Sequence, residues 1–182
     1  MVLCYNSSLN RIKNMNDWST LDVLKFATAA HKGQSRKYTG DDYIVHPMAV
    51  AEMVRKHGGS KVQVAAALLH DTVEDTSVTN VDIAHLYGAP VARLVYWLTD
   101  SSRPSDGNRA IRKGIDADRL ANAPAEAQFV KLADMIDNAD TIFRFDPAFA
   151  KQFVKEMAHL VEIMTKVHGS SLWKEAQTVL KT

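Results

Sequence analysis

The chain has 182 residues, of which 46% are hydrophobic and 24% are charged, and its formal net charge is +1. This balance is typical of a globular chain that buries one core, and it argues against a broadly basic surface for nucleic acid. The single cysteine excludes an intramolecular disulfide, and no apolar run approaches the roughly 20 residues that a membrane-spanning helix needs. We therefore expect a weakly constrained tail, residues 1–18, and one cytoplasmic domain, residues 19–182, with no nucleic-acid or membrane partner.

Helix signals dominate the first half of the chain. Ser19 and Asp22 have the spacing of a capping box, and the helix that they open is expected to stop before Gly33. Pro47 suits the first turn of a second helix, which runs to about residue 57 and ends at the glycines that begin with Gly58. A third helix is expected over residues 60–73.

The second half continues in the same way. Thr79 and Asp82 form another predicted capping box, and Pro90 opens the following helix. After a polar loop, the remaining predicted helices are 109–120, 124–140, 147–167, which is expected to be the longest, and a short one around Trp173. No alternating run predicts a strand. The expected fold is all-α, with about eight or nine helices of unequal length in an orthogonal rather than an up-down packing.

Residues 68–76, Leu-Leu-His-Asp-Thr-Val-Glu-Asp-Thr, carry the most chemistry. His70 and Asp71 can offer a nitrogen and an oxygen to one metal ion, and Glu74 and Asp75 follow one helical turn later. A metal ion with acid–base groups beside it is the equipment for hydrolysing a phosphate ester or anhydride. The alternative is a solvated acidic helix end without a metal.

Two further residues are candidate ligands. His46 lies at the start of the second predicted helix, where it could also be an ordinary capping or surface histidine. Asp134 lies close to the apolar stripe of its predicted helix, and a carboxylate buried there needs a partner. That partner could be a metal ion or Lys131.

The order His46, His70-Asp71, Asp134 resembles the ligand order of the HD phosphohydrolase superfamily. The surrounding segments narrow the resemblance to the hydrolase domain of RelA/SpoT-type alarmone enzymes, over roughly residues 20 to 145. The segments that carry it are 30–37, 43–47, 67–76 and 131–138. The chain is therefore similar to a small alarmone hydrolase.

This resemblance implies specific roles. One manganese ion would be held by four residues, and the pair Glu74 and Asp75 would position and activate the attacking water. The four implied ligands are His46, His70, Asp71 and Asp134. The implied nucleotide contacts are Arg36 and Lys37 at the base and ribose, Tyr43 near that pocket, and Asn138 and Thr141 at the nucleoside.

The implied substrates are ppGpp and pppGpp, which would yield GDP or GTP plus pyrophosphate. A different nucleotide, such as an adenosine alarmone or the 2′-phosphate of NADPH, is an open alternative. A non-catalytic module that binds a nucleotide or a protein partner is another. Sequence alone leaves the oligomeric state undetermined.

Other basic residues could serve the anionic substrate. Arg109, Arg112 and Lys113 recur at helical spacing, so they can either contact phosphates or form a solvated basic face. The chain also departs from the long enzymes. Met135 and Asp137 stand where an arginine and a histidine are usual. The amino-acid sequence of residues 38–42 also differs from that of the long enzymes, and these differences could change which nucleotide is recognised.

Overall fold

The computed structural model describes residues 17–181 and confirms the all-α fold. Its described part contains nine longer helices and a single helical turn. They are α1 (Thr20–Ala30), α2 (Val45–Lys56), α3 (Lys61–Leu69), α4 (Thr72–Asp75), α5 (Asn80–Tyr87), α6 (Ala89–Leu98), α7 (Arg109–Asn122), α8 (Ala125–Phe145), α9 (Pro147–Ile163) and α10 (Ser171–Val179). Short 3₁₀ turns lie at Pro104–Asp106 and Thr165–Val167.

Most of the predicted tail lies outside the described residues, but its last residue belongs to the core. Trp18 is 8% exposed, and its Nε1 donates to the carbonyl of Tyr87 at 3.0 Å. Assigning Trp18 to a weakly constrained tail was therefore wrong. The bulky indole buries apolar area while its N–H finds a partner.

Both predicted capping boxes are confirmed. The Ser19 hydroxyl accepts from the backbone of Asp22, and the Thr79 hydroxyl accepts from the backbone of Asp82. In each box the acidic side chain accepts the reciprocal bond from the backbone N–H of the cap residue. A third box, Ser60 with Gln63, opens α3. Each box satisfies two backbone donors at a helix start, so it fixes where that helix begins.

Helix α3 is the centre of the molecule. All residues from Val64 to Leu69 are buried, and the helix packs against α1, α2, α6 and α8. A helix that is apolar on all sides must be surrounded by other elements. The residues that directly follow α3 are therefore brought to the middle of the bundle.

The predicted third helix, 60–73, is broken in the structure. It ends at Leu69, and a turn at His70 and Asp71 leads into α4. His70 Nδ1 hydrogen-bonds to the carbonyl of Ala67 at 2.8 Å, and the Thr72 hydroxyl donates to the carbonyl of Leu69 at 2.7 Å. Side chains thus bind the last carbonyls of α3 and compete with continuation of the helix.

Helix α8, with 21 residues, is longer than α9, with 17, which corrects the expectation for 147–167. Helix α8 continues past residue 140 to Phe145, and Asp146 then caps α9 by accepting from the backbone of Phe149. Helix α9 ends at Ile163 because residues 165–167 form a separate 3₁₀ turn. Among residues 17–181, no helix combines the length and apolar composition that a membrane crossing requires.

A fully buried glutamine joins α7, α8 and the turn after α9. Gln128 Nε2 donates to the carbonyl of Leu120 at 2.9 Å, and its Oε1 accepts from the backbone of Lys166 at 3.1 Å. We expect Gln128→Leu to lower the free energy of unfolding by about 1–3 kcal/mol, because the Lys166 N–H loses its acceptor and the Leu120 carbonyl keeps only its bond from Ala123. Urea denaturation measures this. The exposed control Gln152→Leu should change stability by less than about 0.5 kcal/mol, and equal effects of the two would contradict the prediction.

Candidate metal centre

Four side chains that are distant in sequence converge where α2, α3 and α8 meet. His46 comes from the first turn of α2, His70 and Asp71 follow α3, and Asp134 lies within α8. His46 Nε2 lies 3.2 Å from Asp134 Oδ1, and His70 Nε2 lies 3.1 Å from Asp71 Oδ2. The cross distances are 3.6 Å from His70 to Asp134 and 3.7 Å from His46 to Asp71. The structure thus brings together all four candidate ligands.

Hydrogen bonds indicate which ring nitrogens face the centre. His70 Nδ1 bonds the carbonyl of Ala67, and His46 Nδ1 bonds a carboxylate oxygen of Asp137 at 2.6 Å. Both partners only accept, so each Nδ1 must donate. In the neutral imidazoles the lone pairs are then on Nε2, and both Nε2 atoms face Asp71 and Asp134.

This donor set fits a divalent cation. His46, His70 and Asp134 offer ligand atoms that lie within 4.8 Å of one another, and all three residues are buried. His70 Nε2 lies 3.1 Å from Asp71 Oδ2, but it makes no hydrogen bond of proper geometry to any of the described residues. Two nitrogen lone pairs that face two carboxylates are stable only with a positive charge between them, and imidazole with carboxylate is a common ligand set for divalent ions.

The pKa shifts point the same way. Burial alone would raise the pKa of Asp134, but the Lys131 charge and the adjacent His46 and His70 rings hold it well below its usual value. Burial likewise favours the neutral form of His70, yet the Asp71 and Asp134 carboxylates raise its pKa well above its usual value. In the absence of a metal, the centre therefore attracts protons, which a metal ion would replace.

Two residues hold the carboxylates in place. Lys131 Nζ lies 2.7 Å from Asp134 Oδ2, so the partner that the sequence offered as an alternative to a metal is also present. Tyr43 donates its hydroxyl to Asp71 Oδ2 at 2.6 Å, and burial with the Asp71 charge raises the pKa of Tyr43 strongly. Tyr43, a predicted nucleotide contact, is therefore placed as a donor to a candidate ligand.

Glu74 and Asp75 lie on the single turn α4, which follows His70 and Asp71 directly. Glu74 Oε2 accepts from the backbone of Asp100 at 3.2 Å, and the carbonyl of Asp75 accepts from Gln34 at 2.8 Å. Burial and the Asp100 charge raise the pKa of Glu74, and burial with the Asp71 charge raises that of Asp75. Carboxyls with raised pKa values beside a metal site are suited to proton transfer.

The predicted nucleoside contacts also come together across about a hundred residues of sequence. Arg36 donates to Asn138 Oδ1 at 3.2 Å and to Thr141 Oγ1 at 3.4 Å. Asn138 in turn donates to Asp134 Oδ1 at 2.7 Å, so this cluster adjoins the metal centre. Lys37 instead points to solvent, with Asp146 Oδ2 3.7 Å away and 75% of its side chain exposed.

A cavity of about 570 Å³ opens between α7, α8 and α9 and reaches Lys131 and Asp134. Arg109 and Lys113 line it, although each is paired, Arg109 with Glu156 at 2.7 Å and Lys113 with Asp100 at 2.8 Å. Arg112 is not among the lining residues. The cavity is also lined by three partly buried apolar side chains of α9: Phe149, Phe153 and Leu160.

Sequence reasoning missed Asp137 as part of the centre. Asp137 was noted only because a histidine is usual at its position, whereas its side chain hydrogen-bonds to His46 and lies 3.7 Å from Arg36. Its position one turn after Asp134 on the same helix is a signal that could have indicated it.

The geometry can be compared with known proteins. A family model described as HD domain matches residues 23–147. The chain belongs to the HD-domain family. The matched region of this HD-domain protein contains all four candidate ligands, as well as Glu74 and Asp75.

Curated relatives of the HD-domain protein are of two kinds. Two probable chloroplastic GTP diphosphokinases of Arabidopsis thaliana are 32% and 34% identical over 89% and 90% of this chain. Those alignments span only 23% and 24% of the plant proteins, about a quarter of their length. A guanosine-3′,5′-bis(diphosphate) 3′-pyrophosphohydrolase of Danio rerio is 37% identical over 75% of this chain and 76% of that protein.

A solved structure supports the fold of the HD-domain protein. A metazoan ortholog of SpoT, which hydrolyses ppGpp, superposes with a TM-score of 0.75 over 89% of this chain and 93% of that one. The two are 24% identical, so this likeness bears on the fold alone. The fold of this chain is thus also found in a solved structure.

Proposed function

We propose that this HD-domain protein is a manganese-dependent hydrolase that removes the 3′-pyrophosphate of ppGpp or pppGpp. Water and the substrate would yield GDP or GTP plus pyrophosphate. The observation that carries the proposal is the convergence of two histidine Nε2 atoms with two carboxylates. Two of these four residues, His70 and Asp71, directly precede the turn that holds Glu74 and Asp75. The Danio rerio relative, whose name states this activity, covers three quarters of the chain and agrees with it.

In this proposal His46, His70, Asp71 and Asp134 hold the ion. A bound divalent ion would supply Lewis acidity that makes water easier to deprotonate and offsets charge on the phosphoryl oxygens. Two nitrogens and two carboxylate oxygens leave positions free for water and substrate if the ion takes about six ligands, as manganese does. Lys131 and Tyr43 would hold Asp134 and Asp71 in their orientations.

The remaining residues would act on the water and the nucleotide. Glu74, assisted by Asp75, would accept the proton of the attacking water, a role that suits a carboxyl with a raised pKa. Arg36, Asn138 and Thr141 would hold the nucleoside beside the centre. We further propose that residues 19–182 form one hydrolase domain and that the enzyme acts in the cytoplasm on a small-molecule nucleotide.

The cavity also bears on the choice of substrate. It adjoins Asp134, has apolar walls from Phe149, Phe153 and Leu160, and is lined by the basic residues Arg109 and Lys113. A space of about 570 Å³ lies within the size range of small-molecule sites. Its size and lining suit guanosine and adenosine nucleotides alike, so an adenosine alarmone and NADPH are tested beside ppGpp.

A substrate panel tests the proposal. Purified protein with Mn²⁺ is incubated with ppGpp, pppGpp, an adenosine alarmone or NADPH, and the products are separated by ion-exchange chromatography. We expect GDP and pyrophosphate from ppGpp, with no product when a chelator removes the metal. Turnover of another nucleotide but not of ppGpp would overturn the guanosine assignment, and turnover of none would favour a binding module.

A further inference from the structure

Asp137 makes a contact to a candidate metal ligand that is as short as the bond from Tyr43 to Asp71. Its Oδ2 lies 2.6 Å from Nδ1 of His46, whose side chain is almost fully buried. A short bond between a ring N–H and a carboxylate is charge-assisted and strongly oriented. It fixes both the rotation of the imidazole and the nitrogen that carries the proton.

The two histidines of the centre are supported differently. His70 Nδ1 donates to a neutral backbone carbonyl, that of Ala67, whereas His46 Nδ1 donates to the carboxylate of Asp137. A carboxylate partner makes an imidazole a better electron donor than a carbonyl partner does. His46 is therefore set up as the more strongly donating ring.

Helix α8 supplies the nearest carboxylate to each ring nitrogen of His46. Asp134 and Asp137 are three residues apart, so they lie on neighbouring turns of one face. Asp134 Oδ1 lies 3.2 Å from Nε2 of His46, and Asp137 Oδ2 lies 2.6 Å from Nδ1 of the same ring. The ring of an α2 residue is thus held at both nitrogens by one rigid helix.

Asp137 also lies near the proposed nucleoside cluster. Arg36 Nη2 is 3.7 Å from Asp137 Oδ2, while its hydrogen bonds go to Asn138 and Thr141. The guanidinium balances the charge of Asp137 without taking the bond that His46 uses. Loss of Arg36 should therefore weaken nucleotide binding and leave the His46 contact intact.

We infer that Asp137 is a positioning residue that holds the His46 imidazole with Nε2 directed at the metal. This inference rests on the proposed metal-dependent function. Asp137 touches neither the ion nor the substrate in this scheme, and it acts through His46 alone. Its removal should therefore weaken metal binding before any nucleotide is present.

The test is calorimetric titration of the metal-free full chain with Mn²⁺ in the absence of nucleotide. Asp137→Ala is expected to bind Mn²⁺ about 10–100-fold more weakly than the wild type. Asp137→Asn keeps an oxygen that can accept from His46 Nδ1 but loses the charge, so its affinity should lie between those two. The matched control is Asp140→Ala, an exposed aspartate on the same helix, which should bind as the wild type does.

Two further readouts separate positioning from a merely structural role. The visible absorption of the Co²⁺-loaded protein should change in Asp137→Ala and remain unchanged in Asp140→Ala, because only the first substitution frees the His46 ligand to change its orientation. Arg36→Met should raise KM and leave Mn²⁺ affinity unchanged. Circular dichroism establishes that each variant is folded, and if Asp137→Ala is not, Asp137→Asn carries the test.

The outcomes distinguish this inference from the proposed function. If the wild type binds Mn²⁺ and both Asp137 variants bind it as tightly as the wild type does, the positioning role is overturned while the metal-dependent function stands. If the wild type binds no divalent ion, the metal site itself is overturned, and the role of Asp137 with it. Weaker binding in Asp137→Ala with partial recovery in Asp137→Asn supports the inference.

Discussion

Asp71→Ala is expected to abolish both metal binding and turnover. Asp71 Oδ2 lies 3.1 Å from His70 Nε2 and 3.7 Å from His46 Nε2, so it faces both nitrogen ligands across the proposed ion position. Alanine removes one of the four protein ligands and the negative charge that offsets the cation. Since loss of an outer partner already costs about 10–100-fold in metal affinity, loss of a ligand should cost at least about 100-fold.

Calorimetry and thermal unfolding measure this effect without any assumption about the substrate. A ligand that binds only the folded state stabilises it by about 2.7 kcal/mol when present at 100 times its Kd. The wild type should therefore show a Tm that rises with Mn²⁺, and Asp71→Ala should lose that rise. Asp140→Ala serves as the control with unchanged behaviour. Wild-type metal affinity in Asp71→Ala would remove Asp71 from the ligand set.

Glu74→Gln is expected to retain the metal and lose turnover. The Glu74 side chain bonds the backbone of Asp100 at 3.2 Å and is not among the groups that converge on the two Nε2 atoms. The amide keeps the size of the side chain but cannot accept a proton from water. Removing a general base typically costs about 10²–10⁴-fold, and we expect a decrease of that size in kcat.

The pH profile supplies an independent check on Glu74. Its pKa is raised, first by burial and then by the Asp100 charge, so the protonated, inactive form persists to higher pH than for a free glutamate. Activity should therefore rise with pH through this raised pKa, and the residual activity of Glu74→Gln should lack that acidic limb. Equal metal loss in Glu74→Gln and Asp71→Ala would contradict the division between ligand and base.

Much of the fold was accessible from local sequence signals. The boxes at Ser19–Asp22 and Thr79–Asp82 lie where they were predicted, because capping depends on residues within one turn of each other. The end of the helix at Leu69 was missed, since it depends on which backbone carbonyls the side chains of His70 and Thr72 hydrogen-bond. A continuous apolar pattern carries no information about that competition.

The candidate site shows the same division. The four ligand positions were predicted through family motifs, and the structure brings them together, but spacing alone left His46 and Asp134 with ordinary alternatives. Asp137 was noticed only as a departure from the usual residue, because its partner His46 is 91 residues away in sequence. The cavity between α7, α8 and α9 could not be predicted either, since apolar residues that line a cavity and apolar residues in a core have the same periodicity.

The all-α class, the start of most helices and the residue types that can bind a metal were predictable from the sequence. These follow from backbone capping, helical periodicity and residue type, all of which act over short separations. The tautomers of His46 and His70, the pairing of Arg36 with Asn138 and Thr141, and the contacts of α8 with both ring nitrogens of His46 became clear only from the folded chain. Those depend on how α2, α3 and α8 pack, because contacts between helices set the hydrogen-bond partners of buried polar groups.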